Sequence, residues 1–117
     1  MAIQSLAEFQ QTFKCEPVEV EVEVSGMDKP MQVFLKPLTS AQRDAFEASV
    51  VGVDGKRDLS NLRAKLVANC LVTEKGKAVG NPQQIGQLDA RLVGALFDKV
   101  RELNGMDAED VEEAGKG

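Results

Sequence analysis

The feature that most constrains the fold is a strict alternation of valine and glutamate in the stretch EPVEVEVEV, at positions 16–24. In an extended chain successive side chains point to opposite faces, so the pattern predicts a strand at 17–24. One face of this strand is apolar and has to be covered by a core. The other face is acidic and carries Glu19, Glu21 and Glu23.

A second strand is predicted at 31–36, MQVFLK, after a turn formed by SGMDKP. We expect the two strands to pair as an antiparallel hairpin, because one register makes one of its faces continuously apolar. That register predicts the cross-strand pairs Val24–Met31, Val22–Val33, Val20–Leu35, Glu21–Phe34 and Glu19–Lys36.

The spacing of apolar residues predicts helices over most of the remaining chain. A short amphipathic helix is expected at 3–13, before the hairpin. After the hairpin, a Thr39–Gln42 capping box opens a helix that reaches about Val51. Its inner side is predicted to carry Ala41, Ala45, Phe46 and Ser49. Three more helices are expected: one capped by Asp58 or Ser60, a brief one capped by Asn81, and a long one from near Asp89.

These elements predict an α+β fold, with a small N-terminal antiparallel β-hairpin or sheet followed by a bundle of three to four helices. The helical core is predicted to contain Leu66, Cys70, Leu92, Leu96, Phe97 and Val100. Residues 1–104 are expected to form a single α+β domain, and residues 105–117 an acidic tail or linker. The net charge of −5 lies mostly at this end, since residues 101–117 hold six acidic and two basic side chains.

The composition argues against most enzyme chemistry. The chain has no histidine, which removes Ser–His and Cys–His catalysis and the ligands of most catalytic metal sites. Cys15 and Cys70 form no C-x-x-C motif, and we expect free thiols in a cytoplasmic protein. We therefore expect no catalytic residue, no cofactor and no metal site.

Membranes and nucleic acids are not expected as partners. No apolar run approaches the roughly eighteen residues of a membrane span. The lysines and arginines are not clustered as phosphate contacts require. Any partner is therefore expected to be a protein, and self-association of the chain is left open.

The polar face of the hairpin is the candidate partner-binding surface, and its predicted members are Glu19, Glu21, Glu23 and Phe34. The glutamates are compatible with a solvated sheet face or with a basic partner. Phe34 lies on the wrong side for the core. Either the N-terminal helix folds over Phe34 and covers it, or Phe34 is the centre of a docking surface.

The order of elements and several short stretches resemble the tail assembly chaperones of long-tailed bacteriophages and prophages. The resemblance covers almost the whole chain. It rests on EPVEVEVEV followed by VFLKPLTSAQRDAFEA, on NLRAKLVANCLVTEKGKAV, and on LDARLVGALFDKVRELNGMDAEDVEEAGKG. These stretches contain caps, turns and core positions rather than catalytic motifs, so the likeness lies in their order.

The resemblance implies a protein without enzymatic activity that binds the tape measure protein and helps it enter tail assembly. It also implies recruitment of the tail tube protein and absence from the finished virion. Members of this family are often made in two lengths by translational frameshifting. Gly115–Lys116 is compatible with a slippery codon pair, and Asp107–Gly117 would then link this domain to an extension. The alternative is another small phage morphogenesis protein, of the tail-completion type, that is retained in the virion.

Overall fold

The computed structural model describes residues 2–51 and 61–106 and confirms the predicted α+β class. Three antiparallel strands form one sheet in the order β1-β2-β3. In chain order the elements are α1 (Leu6–Thr12), β1 (Val18–Val22), β2 (Met31–Leu35), α2 (Ser40–Val51), α3 (Leu62–Cys70), β3 (Leu71–Val72), α4 (Pro82–Gly86) and α5 (Ala90–Leu103).

The predicted hairpin is present, but its predicted register is wrong by two residues. Val22 lies opposite Met31, and Glu19 lies opposite Phe34 instead of Lys36. The remaining pairs of the ladder are Val18–Leu35, Val20–Val33 and Glu21–Gln32. Because side chains alternate with period two, a slip of two residues leaves every side chain on its predicted face.

The turn of the hairpin explains the shorter ladder. Met27 donates its N–H to the Val24 carbonyl at 3.1 Å, and Gly26 between them has a φ of +92°. A positive φ at the third position is what a type II turn requires, and glycine adopts it without strain. The turn packs on α5, because a Cβ added to Gly26 would sit 2.9 Å from a guanidinium nitrogen of Arg91.

The third strand was not predicted. β3 follows α3 without an intervening residue and pairs with β2, so that Phe34 lies opposite Val72 and Leu35 opposite Leu71. A turn at Lys75–Gly76 follows it: Gly76, at a φ of +87°, donates to the Thr73 carbonyl at 2.8 Å. A strand between α3 and α4 means that strands and helices are not fully segregated along the chain.

Several predicted helix caps are confirmed. Thr39 and Gln42 exchange the two bonds of a capping box, at 2.9 and 3.1 Å. Asn81 and Gln84 do the same at the start of α4, and Asp89 caps α5. α3 differs, because its N-cap residue is Asn61, which is left-handed and makes no side-chain cap bond. The predicted caps Asp58 and Ser60 lie outside the described residues.

Helices α3 and α5 face each other and supply most of the core. Five of the six predicted core residues are buried, and Leu92 is partly buried against the same cluster. The inner face of the sheet completes the core with Val22 and Leu35. α2 contributes Phe46 and Val50, whereas the predicted Ala41, Ala45 and Ser49 are exposed. Phe46 and Val50 are one helical turn apart and larger than the alanines, so this side of α2 buries more apolar area.

The domain extends beyond the boundary predicted at residue 104. Gly105 donates to the Glu102 carbonyl at 3.2 Å and Met106 to the Arg101 carbonyl at 2.8 Å, the two bonds of a Schellman motif. Met106 is 4 % exposed and belongs to the core. The predicted acidic tail from Asp107 to Gly117 lies outside the described residues.

Candidate functional site

The polar face of the hairpin brings together some of the predicted partner-binding residues but not all of them. Glu19 lies directly opposite Phe34, and the next pair on the same face is Glu21 with Gln32. Glu19 and Glu21 are exposed. Glu23 is also exposed, but it follows the last residue of β1 and is not part of the ladder. We call Glu19, Glu21, Gln32 and Phe34 the hairpin face.

Phe34 occupies the middle of the three-stranded sheet, between Glu19 on β1 and Val72 on β3. It is half-buried, and Val72 is buried. No residue of α1 is buried. The partly exposed ring therefore remains available on the hairpin face.

Helix α1 carries a second candidate surface, which we call the α1 stripe. Its apolar residues Ile3, Leu6, Phe9 and Phe13 are 38, 74, 56 and 85 % exposed. They recur at spacings of three and four, but only Leu6 and Phe9 lie within α1, since Ile3 precedes the N-cap Ser5 and Phe13 is the extended C-cap residue. Glu8 is the only charged residue between positions 2 and 13. The stripe is therefore a nearly uncharged apolar surface in solvent.

Local hydrogen bonds stabilise the helical form of α1. The Ser5 hydroxyl accepts from the Glu8 N–H at 3.2 Å, and the Thr12 hydroxyl donates to the Glu8 carbonyl at 2.8 Å. Isolated helices shorter than about 12–15 residues are marginal in water, and α1 has seven residues. Burial of a Leu or Phe side chain contributes about 1.5–3 kcal/mol. Contact with a partner would therefore stabilise both the helix and the complex.

Sequence reasoning identified α1 as amphipathic but did not identify its exposure. Apolar spacing of this kind is the same for a helix that packs on its own domain and for one that packs on another protein. The low charge of residues 2–13 was the available signal, because a helix that only covers a core usually carries charges on its outer side.

A cleft of about 460 Å³ separates the edge of β1 from α5. Glu21 and Glu23 line it on the strand side, and Asp98, Lys99 and Glu102 line it on the helix side. The helix residues are partly neutralised, since Arg101 pairs with Asp98 at 2.6 Å and Lys99 with Glu102 at 3.6 Å. The strand glutamates form no ion pair with any described residue.

The two thiols are in different environments. Both are free, with Cys15 exposed and Cys70 buried. Burial raises the pKa of the Cys70 thiol to about 11, although a hydrogen bond from the Asn104 side chain acts in the opposite direction. Cys70 is therefore a neutral core side chain at physiological pH. In the described ranges, no three Cys, Asp or Glu residues are grouped so that they could hold a metal ion.

None of the helices in residues 2–51 and 61–106 combines the length and the apolar character needed to cross a membrane. Comparison of the chain with protein-family models, with curated proteins and with solved structures finds no match.

Proposed function

We propose that this protein is a non-enzymatic chaperone of phage tail assembly that acts in the cytoplasm of the host cell. Its main partner would be the tape measure protein, and it would assist assembly of the tail tube. The observation that supports this proposal most is the α1 stripe, where Leu6 and Phe9 of the helix and the flanking Ile3 and Phe13 are exposed and no residue of the helix is buried.

A chaperone for a long helical protein has to offer apolar surface and then release its partner. The α1 stripe meets the first requirement, because an amphipathic helix binds other helices through residues spaced like Leu6, Phe9 and Phe13. Its small area meets the second, since interfaces well below 1,200 Å² are typical of weak and transient complexes. A seven-residue helix that is marginally stable on its own also lowers affinity through the cost of ordering it.

The hairpin face would supply a second contact. Glu19 and Glu21 flank the partly exposed Phe34 on one side of the sheet, a combination suited to a partner that is apolar in the centre and basic around it. Glu23 would contribute from beyond the end of β1. Two separate surfaces would allow the tape measure protein and the tail tube protein to be held together.

The test is co-expression with the long helical protein encoded beside this chain, followed by pull-down. Replacing Leu6 and Phe9 by Ser should abolish capture, and Phe34→Ser should weaken it, with the circular dichroism spectrum retained. Leu88→Ser is the matched control, because Leu88 is 42 % exposed and lies between α4 and α5, outside both surfaces. Equal capture by all variants would contradict the proposal, and loss of fold in Phe34→Ser would assign Phe34 to the core.

The alternative is a small morphogenesis protein that remains in the virion. The same surfaces would then form a permanent interface. Mass spectrometry of purified particles separates the two, since a chaperone is expected to be absent from them and a tail-completion protein to be present.

A further inference from the structure

The open edge of β1 is the longest unpaired backbone of the sheet. β1 is an outer strand, and within the described residues no backbone hydrogen bond joins Val18–Val22 to anything except β2. In an antiparallel ladder, alternate residues of an outer strand direct both their N–H and their C=O groups outward. This edge can therefore template a further strand.

The cleft described above lies at the same edge. A strand added beside β1 would continue the sheet across the cleft and face α5 with half of its side chains. The side chain opposite Val22 would enter the cleft, which Ala95, Asp98, Lys99 and Glu102 line on the helix side. An aliphatic side chain suits this position, because Asp98 and Glu102 already pair with Arg101 and Lys99.

The charges on β1 determine which kind of segment can bind at its edge. On the other face of the added strand, the side chains would lie beside Glu19 and Glu21, neither of which has a cation among the described residues. Opposite charges on neighbouring strands stabilise pairing, and like charges oppose it. Positions opposite Val18 and Val20 face inward, and aliphatic side chains fit there.

The glutamates of β1 also disfavour two other occupants of this edge, a second copy of the chain and the acidic end of the chain itself. If two copies paired antiparallel about Val20, Glu19 of each would face Glu21 of the other, which places four carboxylates together. The end of this chain carries Asp107, Glu109, Asp110, Glu112 and Glu113, and its negative charge would be repelled in the same way.

We propose that the β1 edge binds an extended segment of a partner protein in which lysine or arginine alternates with aliphatic residues. The segment pairs with the β1 backbone as a fourth strand, its cations lie beside Glu19 and Glu21, and its aliphatic side chains face α5 and the cleft. The surface is distinct from the α1 stripe, and the inference does not require the partner to be a phage protein.

The test uses a synthetic seven-residue peptide of alternating Lys and Val, blocked at both ends, and amide hydrogen exchange measured by NMR. At a peptide concentration about ten times Kd, exchange of the outward β1 amides should slow about tenfold, because they exchange only from the free protein. A peptide of the same composition with its lysines clustered at one end is the control for charge alone. Equal protection by both peptides, or unchanged β1 amides, would overturn the proposal.

A charge-reversal pair of variants adds a second readout. Glu19→Lys combined with Glu21→Lys should abolish binding of the Lys–Val peptide and create binding of a Glu–Val peptide. Asp44→Lys combined with Glu74→Lys changes net charge equally at two exposed positions outside β1 and should leave binding unchanged. If the β1 variant and the control variant bound each peptide equally well, net charge alone would explain binding. That result would overturn strand addition at β1. Failure of the tape measure pull-down would not affect these results, because no phage protein is present.

Discussion

Asn104 joins three parts of the molecule through one side-chain amide. Its oxygen accepts from the Leu38 N–H at 2.8 Å, at the entrance to α2. Its nitrogen donates to the Val100 carbonyl at 2.9 Å and contacts the Cys70 sulfur at 3.7 Å. A helix-capping residue thus also satisfies a backbone group distant in sequence, which sequence patterns do not reveal.

We expect Asn104→Ala to destabilise the fold by about 1–3 kcal/mol, because it leaves the part-buried Leu38 N–H without its partner. Chemical denaturation with urea measures the difference. Asn69→Ala is the matched control, since Asn69 is exposed on α3 and should change stability by less than about 0.5 kcal/mol. Equal effects of the two substitutions would show that the Leu38 bond is unimportant.

The carboxylate of Asp89 is expected to stabilise the fold in a pH-dependent way. Hydrogen bonds from the Arg91 side chain and backbone lower the pKa of Asp89 from 3.8 to about 2. A carboxylate whose pKa is depressed in the folded state stabilises the protein above the unfolded pKa and loses that contribution as the pH falls through the folded pKa. The contribution of Asp89 should therefore be complete at neutral pH and decline between about pH 4 and pH 2.

Asp89→Asn tests this directly, because the amide oxygen can still cap α5 but does not titrate. The melting temperature of the native protein should exceed that of the variant at pH 7, and the difference should shrink as the pH approaches 2. A difference that is constant with pH would contradict a role for the Asp89 charge. Asp44→Asn, at an exposed position on α2, is the control for loss of one carboxylate.

At the scale of elements, α5 carries the largest part of the core. Leu96 is 2 % exposed, and we expect Leu96→Ala to cost about 2–5 kcal/mol, since the surrounding side chains relax only partly into the cavity. Leu88→Ala makes the same chemical change at a position that is 42 % exposed and should cost much less. A thermal shift below a degree for Leu96→Ala would contradict the burial of this side chain.

The hairpin and β3 differ in how far their structure can be predicted from the sequence. Alternation in EPVEVEVEV determines which side chains share a face, but every slip by two residues preserves that pattern. The register depends instead on the turn at Gly26, whose type is not readable from SGMDKP. β3 was missed because Leu71–Val72 continues the apolar stripe of α3 directly and is too short for an alternating pattern.

The candidate surfaces were predictable to different extents. The polar face of the hairpin follows from alternation alone, so Glu19, Glu21 and Phe34 were placed together correctly although their pairing was not. The exposure of α1 and the cleft beside α5 depend on how elements pack on one another. Such information is absent from the periodicity of a single segment.

At the scale of the whole molecule, the position of Met106 changes where the domain can be shortened. A chain that ends at Met106 should melt within a degree or two of the full chain, which keeps Asp107–Gly117 available as a linker. A chain that ends at Asn104 loses the Schellman bonds and a buried side chain worth about 1.5–3 kcal/mol. It should melt several degrees lower, since 1 kcal/mol corresponds to about 4–8 °C in a domain of this size. Identical melting of the two shortened chains would show that Met106 does not contribute to the core.

The contacts at the two ends of α5 have a mechanical consequence. Near its start Arg91 lies against Gly26 at the tip of the hairpin, and at its end Asn104 holds Leu38, just after β2. Helix α5 has fourteen residues and is about 21 Å long at 1.5 Å per residue, so it contacts the hairpin at both its tip and its base. A strand bound at the β1 edge would therefore pull on a sheet that α5 holds at both the tip and the base of the hairpin. Helix α1, in which no residue is buried, is not part of this attachment.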